Sequence, residues 1–269
     1  MSNVSVTQTS FRCLGAQPRR DGMTTFRVWA PAVESIAVAI GDTQYGLVAT
    51  DDGVFEADVP ACSGEDCEFV LNGHERRPDP CSRAQPSGLH GPSRVVDLAA
   101  LTREEAGWTG VGLADLVIYG LHIGTFSPEG TFDGAIPGLA GLRELGVTAI
   151  EVMPIAPIAG DHGWGYDGVY AYAPHPAYGG PEGFARLIAA AHRAGLAVIL
   201  DVVYNISALV LSDRCVCMRL AGISPIVMRR SGARRLTIRS QQYVSGRCKT
   251  PRCGCATTVS TVCGWTLCT

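Results

Sequence analysis

The 269-residue chain is 46% hydrophobic and 17% charged, with a formal net charge of −3; this is long and apolar enough for one large domain or two smaller ones. No apolar run approaches the roughly eighteen residues of a transmembrane helix. Even residues 196–204 are interrupted by Asp201, so neither a membrane span nor a membrane partner is expected. Residues 1–20 are polar and lack an apolar leader core, which points to the reducing cytoplasm, where 11 cysteines would not build a disulfide framework.

Along the chain, the first signals are short strands. Residues 26–31 (FRVWAP) and 35–40 (SIAVAI) are apolar and rich in strand formers, and 53–59 (GVFEADV) alternates. Short strands at this spacing predict a small β-sandwich within residues 1–97. Residues 78–92 (PDPCSRAQPSGLHGP) hold four prolines, too many for a regular element, and read as an ordered loop or linker. Residues 98–115 read as a linker into the next unit.

From residue 116 the rhythm changes. LVIYGLHIG (116–124) is a continuous apolar run, as expected of a parallel strand buried on both faces. Residues 132–145 place Ile136, Leu139, Leu142 and Leu145 three apart and stop at Gly146, which predicts a helix weakened by Pro137 and internal glycines. A second buried strand is predicted over 147–153. After a long loop to Gly180, a helix opening at Pro181 shows Phe184, Leu187, Ile188 and Ala191 on one face and ends at Gly195. AVILDVV (197–203) is the third strand. The alternation predicts parallel βα units over residues 116–205.

In such units chemistry gathers at the carboxyl ends of strands: at His122, in the loop 162–167, and over 201–205. HGWGYDGVYAY (162–172) sets Trp164 and Tyr166 beside Asp167. Aromatic faces next to a carboxylate suit a sugar ring, with its apolar face and rim of hydroxyls. The same composition also suits an aromatic loop that only caps the sheet. His122 and His175 read as structural loop histidines, because neither has metal-ligand spacing to another His or Cys; no metal site is expected.

The segments LVIYGLHIGTFSPEGTFDGAI, GVTAIEVMPIA, HGWGYDGVYAYAPHPAYGGPEGF and GLAVILDVVYN resemble the α-amylase superfamily of glycoside hydrolases. The loop RPDPCSRAQPSGLHGPSRVVD, with HGWGYDGV, resembles in particular its trehalose-releasing members. Glycogen-branching enzymes share the barrel motifs, and the proline-rich loop argues against them. The resemblance covers about residues 26–205 and implies a multidomain β plus α/β fold. That fold is an immunoglobulin-like β-sandwich followed by the first three βα units of a truncated (β/α)8 TIM barrel. The implied activity is hydrolysis of the α-1,4 bond next to the trehalose end of a maltooligosyl-trehalose. The implied partner is that substrate or another α-glucan, and no cofactor is needed. Carried over residue by residue, Asp201 and Asn205 fall on the family's first conserved strand motif. Tyr166 falls on the tyrosine that lies against the sugar at the cleaved bond, and Trp164 and Asp167 neighbour it.

The resemblance stops at residue 206, where Ile206 replaces a sugar-binding histidine of the family. Residues 1–205 hold 12 arginines, no lysine and 24 acids, a net of −12; residues 206–269 hold nine arginines and Lys249 against Asp213 alone, a net of +9, with seven of the 11 cysteines. Retaining α-glycosidases need a nucleophile and an acid, two carboxyl groups about 5–5.5 Å apart. The family places them on later strands, and a whole barrel takes roughly 250 residues. The tail offers no such pair, so no catalytic residue is assigned and the chain is expected to be inactive, an α-glucan binder at most. A metal or nucleic-acid module is a poor fit: Cys215-x-Cys217 and Cys253-x-Cys255 lack zinc spacing, and only Tyr243 and Trp265 could stack on bases. The tail shows no regular periodicity and is expected to be disordered, which would leave Val198, Leu200 and Val202 without their next neighbours.

A shifted reading frame accounts for the break. If one C is inserted after the Asn205 codon, Ile206-Ser207-Ala208-Leu209 can be re-read as His-Leu-Gly-Pro, the family's continuation. In the same frame Thr261-Val262-Cys263-Gly264-Trp265-Thr266 permits Gly-Leu-Arg-Leu-Asp, which resembles the family's nucleophile motif. Its Asp is forced, since Trp has one codon and every Thr codon begins AC. Resequencing the gene across codons 200–212 separates the two forms of this reading. One additional base means a full-length enzyme is made and residues 206–269 do not exist in the cell; an unchanged sequence means a pseudogene or truncated product whose function is confined to sugar binding.

Overall fold

The computed structural model describes residues 13–50, 53–102 and 108–203. Asn205 and the 206–269 tail, with the disorder expected of it, lie outside them.

The amino-terminal strands are β1 (Gly15–Pro18), β2 (Met23–Trp29), β3 (Ile36–Ile40), β4 (Thr43–Gly46), β5 (Val48–Ala49), β6 (Val54–Pro60), β7 (Asp66–Leu71), β8 (Glu75–Arg77) and β9 (Ser93–Arg94). They pair antiparallel in two sheets, β1-β2-β6-β5 and β4-β3-β7-β8, with β9 on β7. Alternation does the sorting: along β2, Thr24, Phe26 and Val28 are buried while Met23, Thr25, Arg27 and Trp29 are less so. Phe26 and Val59 of one sheet share a single core with Val38, Phe69 and Leu71 of the other. Phe26 and Phe69 meet edge to face at 6.5 Å.

The proline-rich loop is ordered and docked. It has no helix or strand to satisfy its polar groups, so side chains do so. Gln85, fully buried, is the hub: Asp79 N–H donates to Ser93 Oγ at 2.9 Å, Ser93 Oγ–H donates to Gln85 Oε1 at 2.7 Å, and Gln85 Nε2 donates to the Gly88 and Gly91 carbonyls. The Tyr170 hydroxyl ties the same loop to the second half through the Leu89 carbonyl at 2.7 Å.

In the second half, α1 (Leu98–Leu101) is capped by the Asp97 carboxylate, which accepts from Ala100 N–H at 3.0 Å. Leu98 and Leu101 pack on the core, so the segment expected to be a linker carries a seated helical turn. After it come β10 (Ile118–Leu121), α2 (Ile123–Phe126), α3 (Phe132–Ala135), α4 (Leu139–Glu144), β11 (Ala149–Val152), α5 (Gly180–Arg193) and β12 (Ala197–Leu200). The three strands are parallel, ordered β10-β11-β12, with Leu121, Val152 and Leu200 in register. One sheet face packs on α5, where Phe184, Leu187, Ile188 and Ala191 are buried as their spacing predicted.

Several expectations need correction. The first strand is not buried on both faces: it forms the sheet edge, with Ile118 49% and Tyr119 40% exposed. The 132–145 helix is broken, because Ile136–Gly138 tightens into a 3-10 turn where Pro137 lacks an N–H and Gly138 lies against the Phe126 ring. Three residues at the tighter winding rotate the face by about 60°, and Leu145 ends 79% exposed, while Leu139 and Leu142 stay buried. The second and third strands are shorter than 147–153 and 197–203. Val198 is buried and Leu200 and Val202 pack against the helix-side core, while among the described residues β12 pairs with no strand beyond β11.

Asp79 is the acid with the most unfavourable surroundings among the described residues. Burial pushes its carboxyl up from 3.8 to about 6, against the opposing pull of the Cys81 N–H and Arg83. An acid whose folded pKa is raised favours the fold while protonated, so its contribution is fully present below the unfolded pKa and is lost as the pH climbs towards about 6. The wild-type chain is therefore expected to lose stability relative to Asp79→Asn between about pH 4 and pH 7, measured by urea unfolding. A constant difference across that range would show that Asp79 ionises freely.

Candidate functional site

Parallel register brings the carboxyl ends of β11 and β12 side by side, and an open cleft of about 430 Å³ lies there. Pro154, Ile155 and Ala156 follow β11 along one wall, Leu200 to Val203 form another, and Gly165, residues 171–174 and Phe184 of α5 complete the lining. Asp201 is the charged residue in that lining. Its backbone N–H donates to the Val152 carbonyl at 2.9 Å, which extends the ladder by one bond and fixes where its half-buried carboxylate begins.

The loop over the cleft is shaped by close backbone approach. Gly165 has φ +79° and is buried under the Pro154 carbonyl, where any Cβ would overlap that oxygen. Gly163 meets Ile158 and Gly168 meets Ala156 in the same way. Between these fixed points Trp164 is 72% and Tyr166 42% exposed, and Asp167 is exposed beside them.

Two histidines hold this loop. His122 Nε2–H donates to the Gly163 carbonyl at 2.8 Å. His175, buried, donates from Nε2 to the Gly160 carbonyl at 3.1 Å and accepts the Ala177 N–H on Nδ1 at 3.0 Å. Since a carbonyl only accepts and an N–H only donates, His175 is the neutral Nε2–H tautomer. Both histidines thus have structural partners, as their reading from sequence expected. Among the described residues no group of three His, Cys, Asp or Glu could hold a metal ion.

Of the residues singled out from sequence, Asp201 lies in the cleft. Trp164, Tyr166 and Asp167 share a loop with Gly165 but stand outside the lining, and Asn205 lies outside the described residues. Sequence reasoning missed Gly165, Pro154 and Tyr172 as cleft walls and Tyr178 as a loop support. The glycines at 163, 165 and 168 were the available signal, because such spacing within an aromatic loop marks close backbone contacts.

Burial lowers the His175 pKa from the usual 6.5, despite the opposing Gly160 bond and Asp161. A histidine depressed in the fold contributes stability that is present above its unfolded pKa and lost as the pH falls through the folded value. Relative to His175→Asn, the thermal midpoint of the wild-type chain is expected to fall between about pH 7 and pH 5, while the opposite trend from Asp79 is common to both proteins. His175→Asn, whose amide oxygen can still accept the Ala177 N–H, should reduce that drop; an equal drop in both proteins would refute the assignment. His192, also lowered by burial, leaves part of the drop in place.

Residues 88–211 match the family of α-amylase catalytic domains. The malto-oligosyltrehalose trehalohydrolase of Deinococcus radiodurans is 46% identical over 193 residues, which is 71% of this chain and 32% of that protein. Its namesake from Saccharolobus solfataricus is 46% identical over 187 residues, 69% of this chain and 33% of that one. Among solved structures, a Salmonella typhimurium protein assigned as an alpha amylase superposes with a TM-score of 0.68 at 44% identity, covering 71% of this chain and 33% of its own. The chain spans about a third of the length of the relatives it matches. Among the described residues no helix is long and apolar enough to cross a membrane.

Proposed function

Residues 88–211 belong to the α-amylase catalytic-domain family and the chain resembles malto-oligosyltrehalose trehalohydrolases over about 70% of its length, and from this premise we propose that the cleft is the sugar-holding part of a maltooligosyl-trehalose hydrolase site. The observation that carries the proposal is the position of the cleft, at the carboxyl ends of two parallel strands with Asp201 in its wall and an aromatic loop at its lip. Asp201 and Asn205 accept hydrogen bonds from sugar hydroxyls, Tyr166 and Trp164 offer their ring faces, and Asp167 stands beside them. Residues 1–97 are an immunoglobulin-like sandwich, 98–115 join it on, and 116–205 are the first three βα units of the barrel.

Cleavage needs more than this site supplies. A retaining mechanism takes a carboxylate that attacks the anomeric carbon and a carboxylic acid that protonates the leaving oxygen, about 5–5.5 Å apart. Among the described residues lining the cleft Asp201 stands without such a partner, and in residues 206–269 Asp213 is the single acid. This sequence therefore holds α-glucan without hydrolysing it, and the hydrolase is encoded by the frame with one base restored after codon 205.

The test is release of trehalose from maltooligosyl-trehalose by two purified proteins, the 269-residue chain and the product of the same gene with a single C inserted after the Asn205 codon and translation continued to the next in-frame stop. No trehalose is expected from the first and steady release from the second. Turnover by the unaltered chain would overturn the proposal, and so would an inactive but folded restored protein.

A further inference from the structure

Two ring donors from distant parts of the chain end on one backbone oxygen. His122 Nε2–H donates to the Gly163 carbonyl at 2.8 Å, and the Tyr178 hydroxyl donates to the same carbonyl at 3.3 Å. His122 follows β10, whereas Tyr178 sits in the 3-10 turn Pro176–Tyr178 before α5. Their rings meet edge to face with centroids 6.0 Å apart. Gly124 makes the room: a Cβ there would stand 3.0 Å from His122 Cε1 and 3.3 Å from Tyr178 Cε1. The doubly bonded carbonyl immediately precedes Trp164, and the buried Gly165 immediately follows it. The backbone of Trp164 is thus pinned on both sides while its indole projects into solvent.

An exposed aromatic ring on a fixed backbone is a binding platform whose ordering costs little when a ligand arrives. We propose that His122 and Tyr178 are positioning residues that hold Trp164 as a preformed platform for a glucose ring of an α-glucan chain at the lip of the cleft. This rests on the α-glucan reading above and adds to it two residues that need not touch the sugar. Tyr178 is well suited: its hydroxyl has a structural partner, and its ring is buried against Phe132 and His175. Removing the hydroxyl alone leaves that packing in place.

The test uses the full chain with 5-fluorotryptophan at its tryptophans, the Trp164 resonance in the fluorine NMR spectrum being identified by Trp164→Phe. Maltohexaose binding is measured in parallel by calorimetry. In Tyr178→Phe and His122→Ala the Trp164 resonance should move and sharpen, and maltohexaose should bind about fivefold more weakly, the weight of one hydrogen bond. His122→Gln, which keeps a side-chain N–H, should recover most of both. An unchanged resonance, or an unchanged affinity beside a shifted resonance, overturns the positioning role. A wild-type chain that binds no maltohexaose overturns the α-glucan reading instead, whatever the resonance does.

Discussion

The parallel ladder that aligns Leu121, Val152 and Leu200 is the constraint on which the rest of the second half depends. Parallel strands deliver every carboxyl end to one side of the sheet, so the chain after each strand must turn there and return by a crossover. His122, the Pro154–Ala156 wall and Asp201 stand together because each is the next piece of chain after its strand. The apolar face of α5 packs on one face of the sheet.

A loop that runs close to a sheet end has backbone polar groups and no ladder to absorb them. That loop between β11 and α5 is met by ring donors. His122 and Tyr178 serve the Gly163 carbonyl, His175 serves Gly160, and Tyr170 reaches the Leu89 carbonyl in the proline-rich loop. For buried His175 the neutral ring is the favoured donor, because a buried cation would add a desolvation cost. The proline-rich loop applies the same logic with the Gln85 amide. The result joins the two halves through a hydrogen bond and a small apolar cluster of Leu89, Val169, Tyr170 and Ala173.

Function divides along the chain in the same way. In the proposed reading, holding a sugar takes a wall, a carboxylate and aromatic faces, which the turns after β11 and β12 supply. Breaking the glycosidic bond takes a second carboxyl group at a set distance, which in the proposed reading comes from strands beyond residue 206. The change from a net −12 to a net +9 falls at that same point.

Much of this was legible beforehand. The apolar runs at 147–153 and 197–203, the one-sided spacing of Phe184, Leu187, Ile188 and Ala191, and the glycines closing each helix all follow from local periodicity, which a single sequence carries. Asp201 was legible as a candidate because it stands at the carboxyl end of an apolar strand run, where such folds gather their chemistry, and falls on a motif of the resembled family. Tertiary structure alone decided the rest. Leu145 lost its place in the core when Pro137 and Gly138 tightened the helix and shifted its phase. The 116–124 run proved to be a sheet edge, since burial on a second face depends on neighbours that no local pattern names. The convergence of His122 and Tyr178 on one carbonyl joins residues 56 apart in sequence, and such meetings are set by packing and crossover geometry, not by any motif either residue belongs to.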